Sequence, residues 1–327
     1  MQNVKIKEIA VYHPEKVVSN ETYISHFKEQ GRDISHFLEF MGRKERFIID
    51  NEDENGLTMG IEAAKRVLEQ AGLTAEDLDM IVFTTQVPET SVPSNAVRLH
   101  YELKAPSKTI VFDTNFNCAG MLATVDQVSH YMRSNKQIKR TLIVGSDHLS
   151  LVSNPQVEIT YACFGDAASA VILEATDEDT GFIDALYYTN TESHRNIMYP
   201  TEGLSRGLQE TGDVRFAKWL PFDGGIVLPE TFVMLSDLME RNGIEKETVK
   251  CCFSQFALSN VLKIQEHFKF EDEQIIFVGD QYGYTGSSSP FLALYEGVRQ
   301  GRIQRGDYVL FWTIGTGFQL VAMLLKY

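Results

Sequence analysis

The sequence has no Cys-x-x-Cys pair. Its four cysteines, Cys118, Cys163, Cys251 and Cys252, lack the spacing of a zinc site. No apolar run approaches the ~20 residues that span a bilayer. The opening MQNVKIKEIAVYHPEK has neither the apolar core nor the cleavage pattern of a secretory leader. Basic residues are scarce: Lys plus Arg number 30 against 45 Asp plus Glu, a formal charge of −15. That balance excludes non-specific nucleic-acid binding, which needs a basic surface. It leaves an acidic carrier protein open as a partner, because one local basic patch suffices to dock it. These absences predict a cytoplasmic chain with reduced thiols, no metal, no membrane partner and no nucleic-acid partner.

The 327 residues suit two fused units of roughly 150 residues each. Strand and helix patterns alternate, which predicts an α/β architecture. Residues 59–71 carry apolar side chains at helical spacing and stop at a glycine; 79–85, DMIVFTT, is a short apolar run typical of a buried strand. Residues 108–116 predict a second strand, 119–134 a helix with Leu122, Val125, Val128 and Met132 on one face, and 140–146 a third strand. The order recurs: 247–256 matches the register of 76–85, 274–284 matches 109–118, a helix follows over 287–299 and a strand over 307–313. One βαβ-rich unit used twice accounts for this order, with a junction in the acidic stretch ATDEDTG near 175–181. Ligands of such sheets bind beyond the carboxyl ends of the strands. The two equivalent turns, at Cys118 and Tyr284, are therefore expected to border one central site.

Cys118 lies in FNCAG, directly between a strand and a helix. The positive end of a helix dipole and its unpaired N–H groups favour a thiolate there. An acyl-enzyme on that sulfur would split a transfer reaction into two easier steps. A buried structural cysteine is the competing reading, since free Cys is among the most buried residue types.

The segments TNFNCAG, LIVGSDHLS and CFGDAASAVIL resemble β-ketoacyl-acyl-carrier-protein synthase III. So do GRKERFI at 42–48, TTQVPETSVPS at 84–94, GYTGSSSPFLAL at 283–294 and the terminal IGTGFQLVAMLL. The resemblance covers nearly the whole chain in the right order. It implies a thiolase fold: two pseudo-equivalent βαβαβ-type halves in α-β-α-β-α layers, here 1–175 with Cys118 and 176–327. It implies an acyltransferase that carries its acyl group on Cys118, with an acyl-CoA or acyl-carrier-protein thioester as substrate and no tightly bound cofactor. A homodimer is implied, with a hetero-oligomer open. By the same resemblance, the backbone N–H of Thr316 joins that of Cys118 in an oxyanion hole. Phe164 and the loop after it shape the acyl pocket, and Val92 limits that pocket near the dimer interface.

The pattern breaks at two positions. The family completes its site with a His and an Asn; Ser254 and Tyr284 stand there, while the neighbouring Gln255 is retained. His148, in GSDHLS, is the nearest candidate to replace the missing His; a loop histidine is the plainer reading. The Trp and Arg that clamp the CoA adenine in acetyl-CoA-using members fall at His36 and Leu151, so delivery on a carrier protein is expected instead. Arg43, Lys44 and Arg46 stand either as a phosphate or carrier contact or as a solvated basic turn. The functional expectation is transfer of the acyl group to a malonyl-type carbon or to another nucleophile in fatty-acid or specialised-metabolite biosynthesis. The alternative is a catalytically weakened partner subunit of a hetero-oligomeric condensing enzyme.

Overall fold

The structure, a computed structural model, describes residues 2–209, 215–221 and 223–327. The first sheet contains β1 (Asn3–Tyr12), β2 (Met80–Thr84), β3 (Ile110–Thr114), β4 (Arg140–Asp147) and β5 (Ala167–Thr176), in the order β1-β5-β4-β2-β3. Strands β3, β2 and β4 run parallel, and β5 and β1 add antiparallel. The second sheet contains β6 (Gly181–Thr189), β7 (Val249–Phe253), β8 (Tyr308–Gly315) and β9 (Gln319–Lys326), in the order β7-β8-β9-β6. Here β7 and β8 are parallel and the other pairs antiparallel.

Among the described residues, eight helices of seven or more residues cover and separate the sheets. They are α1 (Asn20–Glu29), α2 (Ser35–Met41), α3 (Gly56–Ala71), α4 (Asn95–Leu103), α5 (Gly120–Ser134), α6 (Leu228–Arg241), α7 (Leu258–Phe268) and α8 (Ser289–Arg299). The alternation of strand side chains explains the layering. On β2, Ile81 and Phe83 face a cluster with Leu57 and Val67 of α3, while Met80 and Val82 face one with Leu122 and Val125 of α5. On β8, Leu310 and Trp312 face Leu235 of α6 and Ile264 of α7, while Val309 and Phe311 face inward with Phe291 of α8. Helices α5 and α8 thus lie between two sheets, and α3 and the α6–α7 pair cover the outer faces. This is the expected α-β-α-β-α order. Strands buried on both faces read as continuous apolar runs, which is why they were legible.

Local signals set the element ends. Asn55 caps α3, accepting from the Leu57 and Thr58 amides, and Thr58 reciprocates; this adds a turn before residue 59. One expected element differs. Residues 274–284 do not form a counterpart of β3: Ile275 makes an isolated bridge to Cys251, and a single helical turn follows at Gly279–Tyr282. The Gln255 side chain takes over the backbone pairing. Its Oε1 accepts from the Val278 and Gly279 amides at 2.6 and 3.0 Å, and its Nε2 donates to the Phe253 and Ile276 carbonyls. A second strand edge is therefore not needed to satisfy those groups.

Candidate active site

Strand β3 ends at Thr114, and the chain reverses through Asn117 (φ +52°) to place Cys118 one residue before the Ala119 cap of α5. Gly120 opens the helix where only glycine fits. A Cβ there would sit 2.2 Å from Thr84 Oγ1. The turn Ile314–Phe318 closes over the same place, and Asn117 Nδ2 donates to the Thr316 carbonyl at 3.3 Å. From the other half of the chain, Tyr284 pairs backbone to backbone with the Cys163–Gly165 segment. Its N–H donates to the Cys163 carbonyl at 2.8 Å, and its carbonyl accepts from the Gly165 N–H at 2.9 Å. The two equivalent turns therefore meet at one locus, as the repeated order implied.

Around the sulfur stands a small aromatic enclosure. Cys118, Leu149, Phe164 and Tyr284 form a buried cluster edged by Val87, Trp219 and Phe256. Tyr284 lies edge-on to Phe256 with ring centroids 4.9 Å apart, and Phe164 neighbours both Tyr284 and Trp219. Two cavities meet here. The larger, of about 280 Å³, runs past Phe37, Phe40 and Met41 of α2, Asn260 and Lys263 of α7, and Gly224–Gly225. The smaller, of about 100 Å³, is bounded by Gln86, Val87, Leu149, Val152, Phe164 and Tyr199. Cys118, Tyr284, Thr316, Trp219 and Ile197 line both.

The thiol is only 8% exposed, and burial pushes it up to about 11. The Tyr284 hydroxyl and the Gln86 carboxamide, both hydrogen-bonded to it, hold the shift back, while the nearby Asp147 carboxylate adds to it. Removing water from a charged sulfur disfavours the thiolate, so burial works against the ionisation that a place at a helix start favours. Burial, then Cys118 itself, raises the Tyr284 phenol well above its usual range, so it stays a hydrogen-bond donor.

Several other sequence candidates lie elsewhere. Ser254 follows β7 with its N–H on the Trp312 carbonyl. It is 2% exposed, its Oγ has no partner among the described residues, and it lines neither cavity. Gln255 spends its carboxamide on the backbone bonds described above and also lines neither. His148 faces the buried Asp166, with Nε2 3.9 Å from Oδ2, and is absent from both linings. Asp166 also accepts from the Ile49 amide and from Ser150, and burial raises its carboxyl. Val92 is 88% exposed and borders neither cavity of its own chain. His36 is also surface-exposed, as is Leu151.

The basic turn is corrected outright. Arg43 and Arg46 are buried, not solvated. The Arg43 guanidinium donates to the carbonyls of Met41, Gly279, Gln255 and Phe256. Arg46 donates to Val18, Asn20 and Ala162 and stacks over Tyr23. Only Lys44 is exposed, and it pairs with Asp280 at 2.9 Å.

Sequence reasoning missed Gln86, Asp147, Trp219 and Phe256 as site residues. Gln86 and Asp147 lay inside the quoted segments TTQVPETSVPS and GSDHLS, both at strand ends, and that position was their signal. Trp219 sits on a two-residue strand in a stretch without periodicity. Among the described residues, no group of three or more His, Cys, Asp and Glu is placed to hold a metal ion. No described helix is long and apolar enough to cross a membrane.

Residues 112–191 match the family model of 3-oxoacyl-[acyl-carrier-protein] synthase III, and residues 239–327 match the model of its C-terminal region. A β-ketoacyl-[acyl-carrier-protein] synthase III of Pseudoalteromonas atlantica is 31% identical over 294 residues, covering 88% of each chain. One of Coxiella burnetii is 28% identical over the full length of both chains. The crystal structure of 3-oxoacyl-[acyl-carrier-protein] synthase III from Aquifex aeolicus superposes with a TM-score of 0.86 at 24% identity. It covers 99% of this chain and 100% of that one, a likeness of fold. With its two cavities converging on a cysteine at a strand-to-helix turn, the chain belongs to the 3-oxoacyl-[acyl-carrier-protein] synthase III family, enzymes of the thiolase superfamily.

Proposed function

We propose that this enzyme transfers acyl groups through a thioester on Cys118. The observation that carries this reading is a single sulfur where an aromatic-walled cleft meets a smaller pocket of mixed lining. The cleft reaches the surface beside the half-exposed Phe40, which suits a donor arriving on a long arm. The pocket beyond the sulfur suits the acyl chain, with Phe164 as one wall. The names of the relatives point to acyl-carrier-protein thioesters, and an acyl-CoA is the other donor of the same chemistry.

In the first step Sγ attacks the thioester carbonyl. A new S–C bond forms, the donor's C–S bond breaks, and the donor leaves as a thiol with the proton that Cys118 releases. The N–H groups of Cys118 and Thr316 are assigned to the tetrahedral oxyanion, a role that contributes about 3–4 kcal/mol elsewhere. The Tyr284 hydroxyl donates to the sulfur. In the second step the acyl carbon passes to the acceptor and Cys118 regains its proton. A malonyl-type acceptor would lose carbon dioxide as the new C–C bond forms; an oxygen or nitrogen nucleophile would lose a proton.

Ser254 bears on which acceptor is used. It is buried outside both cavities, and among the described residues no histidine lines either of them. This favours an acceptor that needs no imidazole. It also keeps a second reading in play, a catalytically weakened subunit paired with an active homologue. Intact-mass measurement after incubation with a panel of acyl-CoA and acyl-carrier thioesters tests the choice. A stoichiometric adduct lost in Cys118→Ala supports acyl transfer, and no adduct from any donor supports the weakened subunit. Carbon dioxide release on adding malonyl thioester to the acylated protein would assign a carbon acceptor.

We read 1–175 and 176–327 as the two halves; each sheet draws its strands from one side of that division, apart from the last residue of β5. We also read the enzyme as a homodimer joined along β3. This strand ends its sheet and exposes Ile110 and Phe112, with Val97, Tyr101 and Val92 nearby in sequence. An apolar open edge of this kind is a template for pairing with a second copy. Val92 would then reach the acyl pocket of the neighbouring subunit. Phe112→Asp should give monomers by sedimentation; an unchanged dimer would place the interface elsewhere.

A further inference from the structure

Gln86 lies two residues beyond β2, and its carboxamide faces the thiol. Nε2 is 3.6 Å and Oε1 3.7 Å from Cys118 Sγ. The amide is not free to turn. Its Nε2 is also 3.3 Å from Oδ2 of Asp147, the fully buried last residue of β4. That carboxylate accepts from Thr85 Oγ1 at 2.9 Å, the Gln86 amide at 2.8 Å, the Ser287 amide at 2.9 Å and Ser287 Oγ at 2.8 Å. Surrounded by donors, it only accepts, so the nitrogen end of the Gln86 side chain must face it. The second N–H of that nitrogen is left on the sulfur side. Gly286 (φ +68°) completes the fit. A Cβ there would lie 2.4 Å from Asp147 Oδ2 and 2.9 Å from Gln86 Nε2.

We propose that Gln86 is a catalytic residue of this site, its carboxamide N–H stabilising the Cys118 thiolate as it forms, and that Asp147 is the positioning residue that fixes the amide. This deepens the acyl-transfer reading and rests on Cys118 being the acyl acceptor. While the sulfur is protonated, Oε1 can accept its S–H. When the proton leaves, the sulfur becomes a charged acceptor, and a hydrogen bond to a charged partner is roughly twice as strong as a neutral one. The titratable groups facing the sulfur are Asp147 and Tyr284. The first opposes a negative sulfur by its charge and the second supports it through its hydroxyl. With His148 directed to Asp166, Gln86 and Tyr284 are the side-chain donors set against burial.

The test reads the thiol alone. The full chain is treated with iodoacetamide at pH 8, the adduct is followed by intact mass, and its site is mapped to Cys118. Gln86→Leu keeps the bulk and removes the amide. The rate should fall about ten- to a hundredfold, the effect of one charged hydrogen bond, with an unchanged circular dichroism spectrum. Gln86→Asn, one methylene shorter, draws the amide back and should also slow the reaction. Wild-type rates in both folded variants would overturn the proposal. Asp147→Asn changes a charge as well as a hold, so it is measured both alone and combined with Gln86→Leu. Charge removal speeds both alike, whereas a lost hold slows only the protein that has the amide. Equal effects in both would overturn the positioning role. Acylation by thioesters is followed in parallel. A wild-type protein that alkylates at Cys118 but takes no acyl group defeats the acyl-transfer reading, whatever the Gln86 variants do.

Discussion

The burial of Cys118 makes a specific claim about pH. With the thiol at about 11, roughly one sulfur in ten thousand is ionised at pH 7, because each unit below the pKa is a factor of ten. Only the thiolate attacks a thioester. Raising the pH from 7 to 9 should therefore raise the single-turnover rate of Cys118 acylation about a hundredfold, on a log-rate line of slope near one with no plateau. The sign follows from the cause: burial penalises the charged form, so alkali restores it. The assay is rapid-quench intact mass with one acyl thioester over that range. Cys118→Ala serves as the blank, and Cys163, Cys251 and Cys252 are fully buried and should stay silent. A plateau at or below pH 8 would refute the reasoning. It would mean that the helix N-terminus, Tyr284 and Gln86 together outweigh the loss of water around the sulfur.

Tyr284→Phe removes a hydroxyl bonded to the thiol and should slow acylation at pH 8 about tenfold while leaving the aromatic enclosure intact; an unchanged rate would show that the hydroxyl plays no part. Gly120→Ala should cost about 1–3 kcal/mol by driving a Cβ into Thr84 Oγ1, and Thr84→Ala should recover part of that loss in urea melts. Arg46→Met should destabilise by about 2–4 kcal/mol, since it strands buried carbonyls at Val18 and Ala162; a loss under 1 kcal/mol would argue that the guanidinium is easily replaced. Phe164→Val should enlarge the smaller pocket and shift the acyl panel toward longer or branched chains, read as relative adduct yields.

Much of the architecture was legible because its signals are local. The apolar runs at 79–85 and 140–146 are strands buried on both faces, and the periodic stretch 119–134 is a helix with Leu122, Val125, Val128 and Met132 inside. The missed element shows the limit. Residues 274–284 have the apolar start of a strand, but the Gln255 side chain, about twenty residues earlier, satisfies the backbone that a neighbouring strand would have paired. The basic turn shows it again. The run Arg43, Lys44, Arg46 looks solvated until carbonyls from Gln255, Gly279 and Ala162 are brought around it.

The sequence by itself determined where Cys118 sits, at the start of a helix, because a strand, a turn and a helix start are each written within a few neighbouring residues. Tertiary structure decided what surrounds that sulfur. Gln86, Asp147 and the Tyr284–Ser287 segment come from three separate stretches of chain, up to 140 residues apart in a single hydrogen bond. Hydrogen bonding and loss of water act through space, so the partners of Cys118 and the cost of ionising it exist only once the two sheets have closed around α5 and α8.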